Sequence, residues 1–216
     1  VTDHWSEAPT LRGESVLLRP TTIDDVDGLA RAHDDPETLR YFPYGIESEP
    51  PSVASVDHAL RSGRQTLTQV DAATGEIVGT TSIYNMSELH GRVTIGYTWL
   101  ASRVRGTAIN AESKLLVLEH VFGTLGARRA ELNVDDENVR SRAAVAAIGA
   151  TEEGALRRHA RRRDGTVRTT IVYSVTDEEW PGVRAGLLAR ISRRSVNRPA
   201  VRPGPAADPA AAGSAR

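Results

Sequence analysis

The sequence predicts an α/β protein, and three features carry the prediction. A strand, a long amphipathic helix and a second strand follow one another over residues 92–135. Two other strand pairs are joined by short turn sequences, "AATG" and "RDG". Segments with the 3.6-residue period of a helix fill the intervals. A strand–helix–strand unit needs a crossover, so its two strands should lie parallel, whereas the hairpin pairs must be antiparallel.

The elements follow in order. "SVLLRP", residues 15–20, is a short strand ended by proline. "TIDDVDGLARAHDD" has acids in its first turn and Ile23, Val26, Leu29 and Ala30 on one face, which is a helix. A short helix is expected over residues 36–41, a loop in "FPYGIESEPP", and a helix in "PSVASVDHALRSG" that stops at Gly63. "QTLTQVD" and "EIVGTTSIYN" make the first hairpin. In "RVTIGYTWL", Val93, Ile95, Tyr97 and Trp99 alternate onto one face, and Gly96 interrupts the other, which signals a bulge or a close backbone approach.

The clearest helix comes next. Ala108, Ala111, Leu115, Leu118, Phe122 and Leu125 recur at steps of three and four until Gly126. "RRAELNVD" then places Ala130, Leu132 and Val134 on an apolar face and Arg129, Glu131, Asn133 and Asp135 on a polar one. A helix over residues 138–148 stops at Gly149, a hairpin covers "TEEGALRRHARRRDGTVRTTIVYSV", and "TDEEWPGVRAGLLARI" is a last helix. From Ser192 the composition collapses to Pro, Ala, Gly, Ser and Arg. The expected organisation is one domain over residues 11–191, an N-terminal extension over 1–10, and a disordered tail over 192–216.

Composition narrows the function. A net charge of −1 gives the whole molecule no polyanion-binding signature. The absence of cysteine excludes disulfides, a thiol nucleophile and Cys-ligated zinc, and fits a cytoplasmic protein. The six histidines lack metal-ligand spacing, so no metal is expected. No apolar run approaches the roughly 20 residues of a membrane span, and the acidic, polar start does not read as a signal peptide.

The loop Arg103-Val104-Arg105-Gly106-Thr107-Ala108 stands between a strand and a helix. Free N–H groups at a helix start suit a phosphate if the backbone can approach it, and Gly106 and Ala108 keep side chains out of the way. Arg103 and Arg105 can add charge-assisted hydrogen bonds. The alternative is a solvated, arginine-rich turn, and spacing alone does not decide between them. The loop is neither a P-loop nor a dinucleotide fingerprint.

Arg103-x-x-Gly106-x-Ala108, after a strand and opening a helix, resembles the Arg/Gln-x-x-Gly-x-Gly/Ala motif of the GNAT acetyltransferase superfamily. Over residues 11–191 the chain resembles its RimJ/RimL-type N-acetyltransferases, notably in "IGYTWLASRVRGTAINAESKLL" and "GARRAELNVDDENVRSRAAVAAIGATEEGALRRH". The resemblance implies a mixed, mostly antiparallel sheet of about seven strands with flanking helices, whose fourth and fifth strands splay apart to admit acetyl-CoA. The pyrophosphate would rest on N–H groups of Arg103, Val104, Arg105, Gly106, Thr107, Ala108, Ile109 and Asn110. The pantetheine arm would pair with backbone at Trp99, Leu100 and Ala101.

Asn138 and Ser141 match the family's Asn-x-x-Ser, which implies that Asn138 contacts the pantetheine and Ser141 lies near the sulfur. Asn138 also suits a helix N-cap. Val145 stands where many relatives carry an acidic tyrosine, so Ser141 becomes the candidate general acid and Tyr173 a weaker one. Glu131 is the first candidate base and Asp135 the next. Tyr84 and Asn85 are placed near the amine pocket.

The expected reaction is acetyl-CoA-dependent acetylation of a primary amine, either a protein N-terminal α-amine or a small molecule. No membrane partner is expected, since no apolar run is long enough to span one, and a homodimer is left open. Two alternatives stand beside it: a CoA-binding regulatory module without turnover, suggested by Val145, and an RNA-binding protein using the arginines of "LRRHARRRDG". That hairpin lacks the interleaved aromatics of a base-stacking platform. Thr169 stands where relatives often carry an acid, which leaves the strand's role in acceptor recognition open.

Overall fold

The computed structural model describes residues 4–196. Eight strands form one sheet: β1 (Leu11–Arg12), β2 (Val16–Pro20), β3 (Gln65–Asp71), β4 (Ile77–Ser87), β5 (Arg92–Leu100), β6 (Arg129–Asp135), β7 (Thr151–Arg161) and β8 (Val167–Thr176). Their order across the sheet is β1-β2-β3-β4-β5-β6-β8-β7. Five helices flank it: α1 (Val26–Ala32), α2 (Val53–Arg61), α3 (Ile109–Glu119), α4 (Val139–Ala146) and α5 (Trp180–Val196). β5 and β6 are parallel and every other neighbouring pair is antiparallel, so the crossover and both hairpins stand as expected.

The exposed residues reveal where local pattern was overruled. The segment 36–41 forms only a 3₁₀ turn, Pro36–Leu39. A second 3₁₀ turn, Ile23–Asp25, precedes α1 and changes the phase of its apolar face. Leu29 and Ala32 are therefore the buried pair, while Ile23 is 45% exposed. Within the segment expected as an N-terminal extension, Trp5 packs on the core and its carbonyl accepts a hydrogen bond from Gln65 Nε2 at 3.1 Å. The expected tail boundary at Ser192 moves, because α5 continues to Val196; residues 197–216 lie outside the described residues.

The predicted alternation along β5 fails midway. Ser82 pairs with Gly96 and Thr80 with Trp99, so two residues of β5, Tyr97 and Thr98, oppose the single Thr81. This is a β-bulge, and its left-handed residue is Tyr97 (φ 48°), next to the expected Gly96. The extra residue moves Tyr97 and Trp99 to the face opposite Ile95. Ile95 pairs with Ile83 on the side of α3, whereas Tyr97 meets Phe42 and Tyr84 on the side of α1 and α2. Gly96 answers to the other half of the expectation. A Cβ there would lie 3.0 Å from Tyr84 Cε1, so glycine admits the tyrosine ring.

α3 is buried on nearly every side and carries two charged residues into the core. Glu112 Oε1 accepts from the Glu14 N–H at 2.8 Å, and Oε2 accepts from the N–H groups of Ser15 (2.6 Å) and Val16 (3.0 Å). It thereby fastens α3 to the start of β2. Lys114 donates to Thr98 Oγ1 at 2.7 Å and Thr81 Oγ1 at 3.1 Å, directly behind the β5 bulge.

Candidate functional site

The site forms where β5 and β6 part. Their ladder holds only Arg92–Arg129, Val93–Ala130 and Thr94–Glu131, although β5 runs on to Leu100 and β6 to Asp135. These are the fourth and fifth strands of the sequence reading, renumbered by the short β1. Beyond Thr94 the β5 edge that includes Trp99 and Leu100 has no strand partner on the β6 side among the described residues. At the fork two buried side-chain oxygens, Thr94 Oγ1 and Asn133 Oδ1, lack a protein partner among the described residues. Buried polar atoms are seldom left so in a finished interior, and these fit a polar guest in the fork.

The Arg103–Asn110 loop lies at the open end of that fork. A 3₁₀ turn, Ser102–Val104, leads to Gly106 at φ +82°. A Cβ on Gly106 would meet nothing within 4 Å, so its conformation, rather than crowding, calls for glycine. The N–H groups of Gly106, Ala108, Asn110 and Ala111 have no backbone acceptor among the described residues. Ala108 caps α3 without a side-chain acceptor, and Thr107 Oγ1 takes only the Ile109 N–H, at 3.3 Å. The result is a cluster of free amides at the positive end of a helix dipole, an arrangement suited to an anion.

The two arginines of the loop turn elsewhere. Arg103 pairs with Glu76 at 3.1 Å, and Arg105 pairs with Asp35 at 2.5 Å and donates to Thr38 Oγ1 at 2.6 Å. They brace the loop against the turn after β3 and the segment after α1. The backbone, not the guanidinium groups, faces outward for an anion.

The side chains expected around the chemistry divide into two groups. Asn138 is the N-cap of α4, accepting the Ser141 N–H at 3.0 Å, and Ser141 is half-buried in the first turn. Tyr173 is buried and its hydroxyl donates to Glu152 at 2.8 Å, which makes it a packed residue. Glu131 stands at the last β5–β6 pair with its carboxylate 3.0 Å from Arg129 Nε. Asp135 is engaged structurally: both its oxygens bind Arg162, at 2.8 and 2.9 Å, and Oδ1 also accepts the Glu137 N–H. Burial would raise its pKa, but Arg162 and that N–H hold it below the usual aspartate range.

The opposite face of the sheet holds a cavity of about 70 Å³ between β3–β5 and helices α1 and α2. Thr66, Thr80, Ser82, Tyr97 and Trp99 form its floor, with Leu39, Phe42 and Val56 as walls and Arg64 and Glu49 beside them. Arg64 lies 4.1 Å over the Tyr97 ring. Tyr84 sits next to this cavity, over Gly96. Burial and the neighbouring Tyr97 push its hydroxyl up to about 12, against a hydrogen bond with Asn133, so it keeps its proton at neutral pH. Tyr84, expected near the amine pocket, thus lies beside this cavity, while Asn85, expected with it, is exposed on a second irregularity of β4.

The basic hairpin proves partly internal. Arg162 is 6% exposed and binds Asp135, Asp136 and Glu137, and Arg163 reaches Glu49. Its tip holds the 41–49 segment, with Tyr44 N–H on the Arg161 carbonyl at 2.8 Å. Among the described residues no helix is long and apolar enough to cross a membrane, and no three metal-ligating side chains gather.

A parallel pair splayed inside a mixed sheet, with a glycine-bent amide cluster at its mouth, defines a fold that opens to an anionic guest. The comparisons name it. Residues 15–151 match the acetyltransferase (GNAT) domain model, and the chain belongs to that family of N-acetyltransferases, whose donor is acetyl-CoA. It is 25% identical over 178 residues to the uncharacterised N-acetyltransferase p20 of Bacillus licheniformis, covering 80% of this chain and 99% of that one. Among solved structures, an acetyltransferase candidate from T. thermophilus is 33% identical with a TM-score of 0.76, covering 87% and 99% of the two chains. Mycobacterium smegmatis RimJ, in complex with CoA-disulfide, is 27% identical with a TM-score of 0.73, covering 88% and 97%.

Proposed function

We propose that this enzyme binds acetyl-CoA across the β5–β6 fork and acetylates a primary amine, a protein N-terminal α-amine in preference to a lysine-like one. The free amides of Gly106, Ala108, Asn110 and Ala111 carry the donor half: they suit a pyrophosphate and have no backbone acceptor among the described residues. The open edge at Trp99, Leu100 and Ala101 suits the pantetheine, and Asn138 and Ser141 flank its thiol end.

The chemistry needs few groups. The amine nitrogen bonds the acetyl carbon and the carbon–sulfur bond breaks. The amine gives up a proton and the departing thiolate takes one. Glu131 serves as the base, directly or through water, and Ser141 as the donor of a hydrogen bond or proton to sulfur. Tyr84, neutral at working pH, orients the amine from the cavity side.

The state of the acids favours an α-amine. Asp135 is held by Arg162 and Glu131 is paired with Arg129, so both carboxylates already have a cationic partner. An α-amino group, with a pKa of about 8, offers far more neutral amine at pH 7 than a lysine at about 10.4. The cavity of about 70 Å³ suits the small side chain of a first residue.

The test is thermal stabilisation by acetyl-CoA together with thiol release in an acceptor panel. Peptides that differ in their first residue should turn over, those with small first residues fastest. Turnover confined to small-molecule amines would overturn the acceptor assignment, and absence of stabilisation would overturn the donor site.

A further inference from the structure

α5 ends in an arginine cluster that the reaction does not use. Arg190, Arg193 and Arg194 line one end of an open groove of about 930 Å³ between α5 and the end of α4. None of the three forms an ion pair among the described residues. Arg190 Nη1 donates to the Ala147 carbonyl at 3.1 Å and Arg194 Nη1 to the Thr107 carbonyl at 2.9 Å, both neutral acceptors. Glu178 and Glu179 line the same groove but precede α5, about 16 Å from Arg190 at the rise of a helix. Burial and the neighbouring Arg194 and Arg193 lower the Arg190 pKa, the mark of positive charges crowded without a counter-charge. Elsewhere in the chain, Arg19, Arg105, Arg129 and Arg162 each meet a carboxylate.

The position of the cluster selects the anion. Thr107, which Arg194 touches, belongs to the loop assigned above to the pyrophosphate. In coenzyme A the ribose that carries this pyrophosphate on its 5′ oxygen carries a second phosphate on its 3′ oxygen. That dianion must fall close beside the loop, and arginine is the side chain suited to hold it. We propose that Arg190, Arg193 and Arg194 form the seat of the 3′-phosphate of coenzyme A, so that α5 reads the nucleotide end of the donor. The proposal rests on the donor reading, since it takes the loop as the pyrophosphate site.

The test is calorimetric binding of CoA and of 3′-dephospho-CoA to the full chain, wild type, R193Q and R190Q/R193Q/R194Q. Wild type should prefer CoA by about tenfold or more, the scale of one strong charge-assisted contact. The triple variant should bind the two ligands within about twofold of each other while keeping its affinity for 3′-dephospho-CoA. R193Q, a change at an exposed position, should narrow the preference by itself and decides the matter if the triple variant fails to fold. Equal binding of both ligands by wild type would overturn the seat and leave the donor site standing. A preference that survives in R193Q and in the triple variant would overturn the assignment to these arginines. Binding of neither ligand would overturn the donor reading, and the seat with it.

Discussion

Lys114 is the chain's single lysine, it is 5% exposed, and burial lowers its pKa from 10.5 to about 7. Two threonine hydroxyls are its hydrogen-bond partners, and neither carries charge. The drop costs the folded state on the order of 5 kcal/mol at pH 6, at about 1.36 kcal/mol per pH unit. Below pH 7 both the folded and the unfolded chain hold the proton, and the penalty is complete. Between about 7 and 10.5 the unfolded chain binds more protons, so stability rises with pH. Lys114→Met removes the titration at similar volume, and Thr81 Oγ1 and Thr98 Oγ1, 2.7 Å apart, still satisfy each other. The variant should therefore exceed wild type in stability at pH 6, and its advantage should shrink by about 3 kcal/mol at pH 9. Urea unfolding at the two pH values measures this difference, in which packing effects of the methionine cancel. An advantage that stays constant from pH 6 to 9 would refute the buried titration.

Four further outcomes are expected. Glu112→Ala orphans the two buried backbone N–H groups of Ser15 and Val16, at about 1–3 kcal/mol each, besides the partly buried one of Glu14, and should lower the melting temperature by roughly 10–15 °C; a loss under about 1 kcal/mol would mean that those amides find other acceptors. Asp135→Asn leaves Arg162 without its main counter-charge and should cost about 3–5 kcal/mol at pH 7. Because the folded pKa of Asp135 is lowered, its contribution is full above the ordinary aspartate range and fades as pH falls through the lowered value, so the variant should show a flatter acid-unfolding curve. Gly106→Glu puts a carboxylate on the amide cluster and a side chain at φ +82°, and should abolish stabilisation by acetyl-CoA; an unchanged affinity would sink the anion seat. Ser141→Ala should lower turnover with CoA affinity largely kept, and a wild-type rate would remove Ser141 from the chemistry.

What the sequence revealed and what it hid have physical reasons. α3, β6 and both hairpins were legible because their apolar residues repeat at a local period, and burial follows that period: Ala130, Leu132 and Val134 are all at most 5% exposed. The bent loop ahead of α3 was legible because a glycine between strand and helix leaves a mark. The β5 bulge was visible only by its neighbour, since nothing in a tyrosine announces φ 48°. Glu112 was missed because its partners lie 96–98 residues away along the chain. Asp135 looked like a base for the same reason: Arg162, which occupies it, comes from a hairpin that reads as solvated charge. The end of α5 was hidden because its arginines share the composition of the tail that follows.

The β5 bulge links the two halves of the proposed reaction. A regular strand would carry Tyr97 and Trp99 on the same face as Ile95, into the layer filled by α3. The single extra residue turns both rings to the other face, where they floor the cavity of α1 and α2. It also gives β5 a local bend, just beyond its last ladder pair with β6, at the proposed donor site. Lys114 and its two threonines stand behind this irregularity and fix Thr98, one of its two residues. The strand that offers its edge to the acyl donor therefore also presents the floor of the amine pocket. In the proposed reaction donor and acceptor would meet at one backbone irregularity, which would set their relative position more rigidly than two separate loops.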